Sequence, residues 1–237
     1  MVVFNIGFWL SAPGLLIKFW NRSKLVSSSG YVKKNGLFIV FEGADGTGKS
    51  SISTFAKKNF AKVGLDVVNA SFPGKDDNTL GGLVYDIHHN QKKYFSSRII
   101  SNDSIQALHI AAHIDCIQNV IIPSLKDGRC ILLDRYWWST YVYGKAGGMN
   151  SGILDRLCSI DKLMFSKILP DKIFLLTRDS SLKKETPVDH WRKLNNEYLK
   201  LAKNEQKISD NISIIFNKDY KKTLETIKNL LHKLLNH

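Results

Sequence analysis

A glycine-rich turn followed by a lysine and two serines is the first feature that could carry chemistry. Residues 43–50, GADGTGKS, match the pattern G-x-x-x-x-G-K-[ST], and an apolar run at residues 37–41 precedes them. Glycines in such a turn let backbone N–H groups converge on phosphate oxygens, and the start of the following helix adds positive potential. The pattern therefore predicts a site for a nucleoside triphosphate.

The polar side chains of this turn have distinct predicted roles. Lys49 is expected to reach the β- and γ-phosphates, and the Ser50 hydroxyl is expected to ligate Mg²⁺. For a nucleoside triphosphate, the predicted phosphate-binding residues are those of the turn and the first helical residues: Gly43, Asp45, Gly46, Thr47, Gly48, Lys49, Ser50 and Ser51.

A second polar cluster lies in residues 132–144, LLDRYWWSTYVYG. Asp134 ends an apolar run, where its carboxylate could hold Mg²⁺ together with Ser50. Arg135 could grip an acceptor phosphate through two hydrogen bonds. The alternative for these two residues is a buried ion pair that closes a strand. Because no N-K-x-D motif for guanine is found in a suitable place, the two clusters favour a kinase of a small substrate over a GTPase.

Apolar runs alternate with helix-period segments along most of the chain, which predicts an α/β fold. The expected architecture is the P-loop kinase fold, with about five parallel strands and helices on both faces. Ligands of such sheets lie at the carboxyl ends of the strands. The predicted strands are residues 37–41, 66–72, 130–134, 172–177 and 212–216. The predicted helices are residues 49–62, 83–89, 103–125, 152–168, 187–203 and 221–235. In the helix over residues 103–125, one face is expected to carry Ile105, Leu108, Ala112, Ile117, Val120 and Ile121.

Residues 1–34 differ in composition from the rest of the chain. They contain no acidic residue, and residues 1–17 carry no charged side chain. We interpret this leader as lying outside the fold. It is either an upstream extension, with an alternative start at Val32, or an organellar presequence. The predicted kinase domain is residues 35–237, expected in the cytoplasm, or in mitochondria if the leader is a presequence.

Charge and cysteine content narrow the function classes. The net charge of +13 over 237 residues predicts an anionic partner, but the basic residues are scattered rather than gathered in one block. No nucleic-acid or membrane partner is therefore expected. The alternative, a nucleic-acid-binding module, would predict that the protein binds DNA or RNA with an affinity that depends strongly on salt. Three cysteines without a C-x-x-C motif favour a reducing compartment over a disulfide scaffold.

From about Gly36 to the C-terminus, the sequence resembles the thymidylate kinase family, which transfers the γ-phosphate of ATP to a deoxynucleoside monophosphate. The motifs that carry the resemblance are FEGADGTGKS, FPG at residues 72–74, the helix LHIAAHIDCIQNVIIPSLKDG and DRYWWSTYVYG. The resemblance implies that Arg135 binds the acceptor phosphate and that Asp45 contacts the sugar or the metal region. It also implies that Phe72 stacks on the acceptor base and that Tyr143 lies under the sugar. Without the resemblance, Phe72 could equally be the last core residue of its strand.

Two departures from the family pattern concern the acceptor base and the lid. His113 stands where the family usually carries an arginine that reads thymine, and Thr140 stands where a small polar residue contacts the base. The lid is a short basic stretch in which Arg178, Lys183, Lys184 or Arg192 could neutralise the transferring charge. The predicted catalytic residues are Lys49, Asp45, Arg135, Arg178 and Lys183, and the predicted acceptor-binding residues are Phe72, His113, Arg135, Thr140 and Tyr143.

The predicted function is an ATP- and Mg²⁺-dependent kinase of a pyrimidine nucleoside monophosphate, with dTMP as the acceptor and dTDP as the product. A homodimer is expected by analogy with the family. Two alternatives stay open at this point. One is a kinase of another pyrimidine nucleotide, such as UMP, CMP or dUMP. The other is a nucleotide-binding sensor with the same fold and weak catalysis.

Overall fold

Five parallel strands form a single sheet with the strand order β2-β3-β1-β4-β5. The structure is a computed structural model that describes residues 35–235, so the predicted leader lies outside the described residues. The strands are β1 (Phe38–Glu42), β2 (Val67–Ser71), β3 (Cys130–Asp134), β4 (Lys172–Thr177) and β5 (Ile212–Phe216). Each lies within a residue or two of its predicted range, and the predicted α/β fold is confirmed.

Helices connect the strands and cover both faces of the sheet. Their bounds are α1 (Lys49–Lys62), α2 (Leu80–His89), α3 (Gln91–Phe95), α4 (Asn102–Cys116), α5 (Ile122–Lys126), α6 (Trp137–Ala146), α7 (Ser151–Phe165), α8 (Val188–Glu205) and α9 (Tyr220–Leu235). Side-chain caps start several of them: Ser101 accepts from the backbone N–H of Ser104 at 3.2 Å, which fixes the beginning of α4.

Alternate residues of the central strands enter two separate hydrophobic cores. Phe38 and Val40 of β1 pack into one core with side chains of α6, α7 and α8. Ile39 and Phe41 pack into the other core, under α1 and α9. Because successive side chains of a strand point to opposite faces, a continuous apolar run is what a sheet buried on both faces requires.

The long helix predicted over residues 103–125 is interrupted by a π-helical turn, Ile117–Ile121, between α4 and α5. The turn inserts extra backbone into the helical repeat and shifts which residues face the core. Ile117 and Ile121 are fully buried, whereas Val120, predicted on the same buried face, is 38% exposed. The prediction for Val120 is wrong for this reason.

Although Asn102–Lys126 is long and apolar enough to cross a membrane, its buried side chains are part of the fold's core.

Helix α6 was not predicted, because its sequence has no amphipathic stripe. Trp137, Trp138, Ser139, Thr140, Val142 and Gly144 are all buried. A helix enclosed by protein on most sides has no polar face from which a helical period could be read. Burial against α7 and α8 therefore stabilises a helix whose aromatic and β-branched residues have only modest helix propensity.

The strand register brings the polar ends of the central strands together. Phe41 of β1 lies opposite Asp134 of β3, and Ser71 of β2 also lies opposite Asp134. Glu42 lies opposite Leu175 of β4. The loops that follow these strands therefore begin at one edge of the sheet, where ligands of parallel sheets bind.

The π-helical turn predicts unequal effects of truncating two neighbouring aliphatic residues. We expect Ile121→Ala to lower the free energy of unfolding by about 2–5 kcal/mol, because it leaves a cavity in the core. Val120→Ala, at an exposed position, is expected to change it by about 0.5 kcal/mol or less. Urea unfolding of the two variants measures the difference, and equal losses would contradict the observed register.

Candidate active site

The glycine-rich turn lies between β1 and α1, and its glycines are needed for their backbone conformation and for close packing. Gly46 and Gly48 have φ values of 76° and 96°, in the left-handed region that favours glycine. A Cβ at Gly46 would lie 2.1 Å from Ser181 Oγ, and one at Gly48 would lie 2.6 Å from Asn217 Nδ2. The turn is therefore held tightly from outside, and its glycines present no side chain to a bound phosphate.

Lys49 lies at the centre of this turn, where the sequence predicted it. Its Nζ donates hydrogen bonds to the carbonyl oxygens of Gly43 at 2.8 Å and Ala44 at 3.1 Å. Burial, followed by the charge of Arg135, lowers the pKa of Lys49 to about 8, against the opposing effect of the nearby carboxylates. Thr47 is fully buried and its hydroxyl donates to Ala44 O, so only its backbone is available to a phosphate.

Asp134 and Ser50, the two predicted metal ligands, are in contact. The Ser50 hydroxyl donates to Asp134 Oδ2 at 3.2 Å. Asp134 Oδ1 is buried and accepts no hydrogen bond from any residue between 35 and 235. A buried carboxylate oxygen without a partner is uncommon, because its desolvation is not compensated. This pair of oxygen ligands is the kind that Mg²⁺ prefers.

Asp45, Arg135 and Tyr143 form one connected group beside the turn. Arg135 Nη2 donates to Asp45 Oδ1 at 2.6 Å, and the Tyr143 hydroxyl donates to Asp45 Oδ2 at 3.1 Å. The guanidinium lies 5.2 Å from the centre of the Tyr143 ring. Although burial opposes its ionisation, Arg135 and Lys49 hold the pKa of Asp45 below its ordinary value. The alternative of a buried ion pair between Asp134 and Arg135 is therefore only partly met. Arg135 does pair with an aspartate, but the aspartate is Asp45.

Arg135 adopts a positive φ of 77°, which is unfavourable for a residue with a Cβ. Its backbone N–H donates to Phe41 O at 2.9 Å, so the turn after β3 is attached to β1. The side chain also donates to Ser139 Oγ at 3.2 Å. Unusual backbone conformations of this kind persist where the surroundings hold them, often at functional sites.

Glu42 holds this arrangement together, and the sequence reasoning assigned it no role. The side chain is fully buried at the end of β1. It accepts hydrogen bonds from the backbone N–H groups of Gly43, Tyr136 and Ser139 and from the Ser139 hydroxyl. Burial raises the pKa of Glu42, with Arg135 and Lys49 acting in the opposite direction. The sequence feature that could have pointed to a role for Glu42 is an acidic residue directly after the apolar run of residues 37–41.

Asn217 is a second residue that the sequence reasoning missed. It follows β5, is 1% exposed, and its Nδ2 donates to Thr47 O at 2.8 Å. It also accepts a hydrogen bond through its backbone oxygen from the guanidinium of Arg178. Arg178 therefore lies against the end of β5 and lines a different cavity, together with Arg192. The structure does not bring Arg178, predicted as a catalytic cation, to the phosphate site.

The segment after β4 packs directly on the glycine-rich turn. Leu182 N donates to Gly46 O at 2.9 Å, and Ser181 Oγ donates to Asp45 O at 3.3 Å. Trp191 Nε1 of α8 donates to the same Asp45 oxygen at 2.6 Å. Lys183 lines the cleft and contributes to the lowered pKa of Asp45. Among the cations predicted for the lid, Lys183 is the one that the structure brings to the cleft.

On the far side of the cleft, Phe72 and His113 stack with their ring centres 4.0 Å apart and their planes 14° apart. Phe72 is 4% exposed and also packs against Phe165. His113 covers one face of the ring, but Phe72 also lines the cleft. Its stacking on the acceptor base therefore stays a prediction, beside the alternative reading of Phe72 as a core residue at the end of its strand.

The predicted acceptor residues His113 and Thr140 share a buried partner. Asp161 of α7 is fully buried, and its Oδ2 lies 2.9 Å from His113 Nδ1 and 3.4 Å from Thr140 Oγ1. Nearby, His88 Nδ1 lies 3.0 Å from His109 Nε2. Burial, followed by the neighbouring His113 and His88, lowers the pKa of His109 to about 3. This wall of the cleft is thus lined by imidazoles that α2 and α4 bring together.

One cleft of about 380 Å³ joins the two halves of the site. Its phosphate end is lined by the glycine-rich turn, with Ser50 and Ser51 at the start of α1, and its other end by the histidines of α2 and α4. Arg135 and Tyr143 line the stretch between them. The arrangement can hold two phosphorylated ligands with their phosphates facing each other across the cationic centre.

A family model for thymidylate kinases matches residues 41–233 of the chain. This span begins at the end of β1 and covers the other four strands, the glycine-rich turn and the second polar cluster. The chain belongs to the thymidylate kinase family. As a thymidylate kinase family member it is an ATP-dependent nucleoside monophosphate kinase, as the resemblance implied.

Individual relatives of this thymidylate kinase family member agree with the assignment. A probable thymidylate kinase of Thermococcus onnurineus is 29% identical over 177 residues, which cover 74% of this chain and 82% of that protein. A thymidylate kinase of Chlamydia muridarum is 30% identical, with 70% and 85% covered. The solved structure of an Ehrlichia chaffeensis thymidylate kinase superposes with a TM-score of 0.63 at 21% identity, covering 83% of this chain and 98% of that one. The structural likeness shows the same fold.

The hydrogen bonds of Glu42 predict a large effect of a nearly isosteric change. In Glu42→Gln, an NH₂ group replaces one carboxylate oxygen and faces N–H or O–H donors, so the buried donors lose a partner. We expect the free energy of unfolding to fall by about 1–3 kcal/mol, with a loss of kinase activity as Arg135 shifts. Glu225→Gln, on the exposed side of α9, is the control and should change stability by about 0.5 kcal/mol or less. Equal unfolding free energies in urea for the two variants would contradict this role.

The lowered pKa of Lys49 predicts how ATP binding depends on pH. Bound phosphates stabilise the ammonium form, so binding raises the pKa of Lys49 above the value of about 8 in the free protein. ATP affinity should therefore be constant below pH 8 and fall above it, by up to about tenfold per pH unit. Calorimetry across this range tests the prediction. Lys49→Met should bind ATP weakly with little pH dependence, and an unchanged slope in that variant would assign the titration to another group.

Proposed function

We propose that the protein transfers the γ-phosphoryl group of ATP to dTMP, giving ADP and dTDP. The observation that carries this proposal is a single cleft lined both by Lys49 of the glycine-rich turn and by the connected group of Asp45, Arg135 and Tyr143. The curated relatives are thymidylate kinases, which supports the choice of acceptor. The relatives give no support to the alternatives, a kinase of another pyrimidine nucleotide or a nucleotide sensor.

On the donor side, the chain contributes positive charge and fixed N–H donors. The N-terminus of α1 and the glycine-rich turn would bind the β- and γ-phosphates through the backbone. Lys49 exchanges its carbonyl partners, Gly43 O and Ala44 O, for phosphate oxygens. These interactions hold the phosphates in place and neutralise their charge, which is most of what phosphoryl transfer requires from a protein.

The donor set formed by Asp134 and Ser50 fits a magnesium ion. The unpartnered Asp134 Oδ1 offers a ready oxygen ligand, and Ser50 is already hydrogen-bonded to the other oxygen. When bound there, Mg²⁺ would neutralise charge on the β- and γ-phosphate oxygens. Asp134 and Ser50 would hold the ion, and Lys49 would supply the remaining positive charge on the donor side.

On the acceptor side, Arg135 would bind the acceptor phosphate. Its guanidinium pairs with Asp45, a carboxylate that stands in for the acceptor phosphate in charge and shape. Tyr143 lies against the same group, where it would contact the sugar and disfavour a 2′-hydroxyl. The acceptor phosphate is already ionised, so no general base is needed, and orientation by Arg135 supplies the catalytic contribution.

Lys183 is the proposed lid cation in place of Arg178. It belongs to the segment that packs on Gly46 and Asp45, and its charge acts on Asp45. An ammonium group lacks the fork of a guanidinium and neutralises charge without fixing geometry. The proposed lid therefore contributes mainly electrostatically.

The remaining proposals concern partners and location. A homodimer is proposed by analogy with the family, and no nucleic-acid or membrane partner is proposed, because the basic residues are scattered over the surface. The proposed location is the cytoplasm, or mitochondria if residues 1–34 act as a presequence.

Turnover with a panel of acceptors tests the proposed function. The full-length protein is incubated with ATP, Mg²⁺ and each of dTMP, dUMP, UMP, CMP, dCMP and dGMP, and diphosphate formation is measured. We expect dTMP to give the highest kcat/KM and Lys49→Ala to lose about 100-fold or more, because a charge that stabilises the transition state is removed. Preference for another nucleotide would replace dTMP as the acceptor. ATP binding without diphosphate from any acceptor would overturn the kinase proposal.

A further inference from the structure

We propose that Asp161 selects the acceptor base by keeping the proton of His113 on Nδ1, so that the unprotonated Nε2 accepts a hydrogen bond from N3–H of the base. The inference rests on the proposed function and deepens it, since it assigns the base-specificity step to a buried carboxylate on α7. In this proposal His113 is the residue that contacts the base, and Asp161 is a positioning residue that acts through His113.

The first observation is the geometry of the buried pair. Asp161 Oδ2 lies 2.9 Å from His113 Nδ1, and Asp161 is 0% exposed. An ionised carboxylate can only accept hydrogen bonds, so the nitrogen that faces it must carry the proton. In a neutral imidazole with its proton on Nδ1, the opposite nitrogen, Nε2, is an acceptor.

The second observation is that the His113 ring is held in one orientation. Phe72 stacks on it at 4.0 Å, nearly parallel, and Asp161 binds one edge of the ring. A ring flip would bring Cδ2 against the carboxylate and lose the hydrogen bond. His113 lines the cleft, and within residues 35–235 its Nε2 has no hydrogen-bond partner, so this nitrogen is available to a ligand.

The third observation is that Thr140 is oriented by the same carboxylate. Its hydroxyl donates to Asp161 Oδ2 at 3.4 Å, a long hydrogen bond that still directs the proton away from the cleft. Thr140 also lines the cleft. Asp161 thus accepts a hydrogen bond from each of the two residues and fixes the orientation of both.

The chemistry of the pyrimidines converts this arrangement into a preference. Thymine and uracil carry a hydrogen at N3, whereas cytosine has a lone pair there. His113 Nε2 therefore accepts a hydrogen bond from N3–H of thymine. With cytosine, the lone pair of Nε2 would face the lone pair of N3, and no hydrogen bond would form. A site built to receive a hydrogen bond discriminates strongly against an analogue that leaves it unpaired. The arginine that the family usually carries at this position donates hydrogen bonds to the base. In this chain, His113 would instead accept a hydrogen bond from the base.

Asp161→Asn tests the proposal by kinetics. Its amide can donate to His113 Nδ1 and shift the proton to Nε2, which would then donate to the base. We expect the ratio of kcat/KM for dTMP to that for dCMP to fall by about tenfold or more. Asp155→Asn makes the same chemical change on the exposed side of α7 and should leave the ratio unaltered. An unchanged ratio in a folded Asp161→Asn protein would overturn the proposal.

Isotope-edited NMR of the histidine ring nitrogens in the ligand-free, full-length protein gives a second test that needs no altered Asp161. The His113 signals are assigned by their absence in His113→Gln. We expect a proton on Nδ1 and none on Nε2 at neutral pH, and either the opposite tautomer or a doubly protonated ring would overturn the proposal. If the wild-type protein forms no diphosphate from any acceptor, the proposed function fails. The NMR result would still decide whether Asp161 sets the tautomer.

Discussion

The buried carboxylate of Glu42 is the interaction on which the rest of the site depends. It ends β1, and its oxygens accept hydrogen bonds from the first residue of the glycine-rich turn and from the start of α6. A charged group without solvent is tolerable only when its oxygens are paired, so the two segments must keep their positions relative to each other. The donor end and the acceptor end of the cleft are thereby fixed to the same strand. Arg135, in its unfavourable backbone conformation, lies between them.

The charges of the cleft compensate one another within the protein. Arg135 pairs with Asp45, Lys49 binds backbone carbonyls, and Asp134 accepts from Ser50. Each of these partners carries less charge than a phosphate or a metal ion, so a bound substrate or ion would compete favourably for the same groups. Such preorganisation means that little reorganisation is needed at the moment of transfer. The segment after β4 completes the enclosure, since it packs on Gly46 and carries Lys183 into the cleft.

The acceptor end uses a different physical principle, because it relies on directed hydrogen bonds in a buried wall. His109 keeps a strongly lowered pKa, and His113 is held by stacking and by Asp161. In such surroundings the direction of each hydrogen bond matters more than net charge, since an unpaired polar atom is costly to bury. This end of the cleft is therefore suited to distinguishing uncharged base edges, while the other end neutralises phosphates.

The sequence by itself determined the five strands, most of the helices and the residues at the phosphate end, because these depend on local pattern. A glycine-rich turn between an apolar run and a helix specifies Lys49, Ser50 and their surroundings within a few residues of chain. The tertiary structure alone decided the exposure of Val120, the helical state of residues 137–146 and the partners of Glu42, Arg178 and His113. Asp161 lies 48 residues from His113, and Asn217 lies 170 residues from Thr47. Contacts at such separations leave no periodic signal in one sequence, since they depend on how the helices pack against the sheet and against one another.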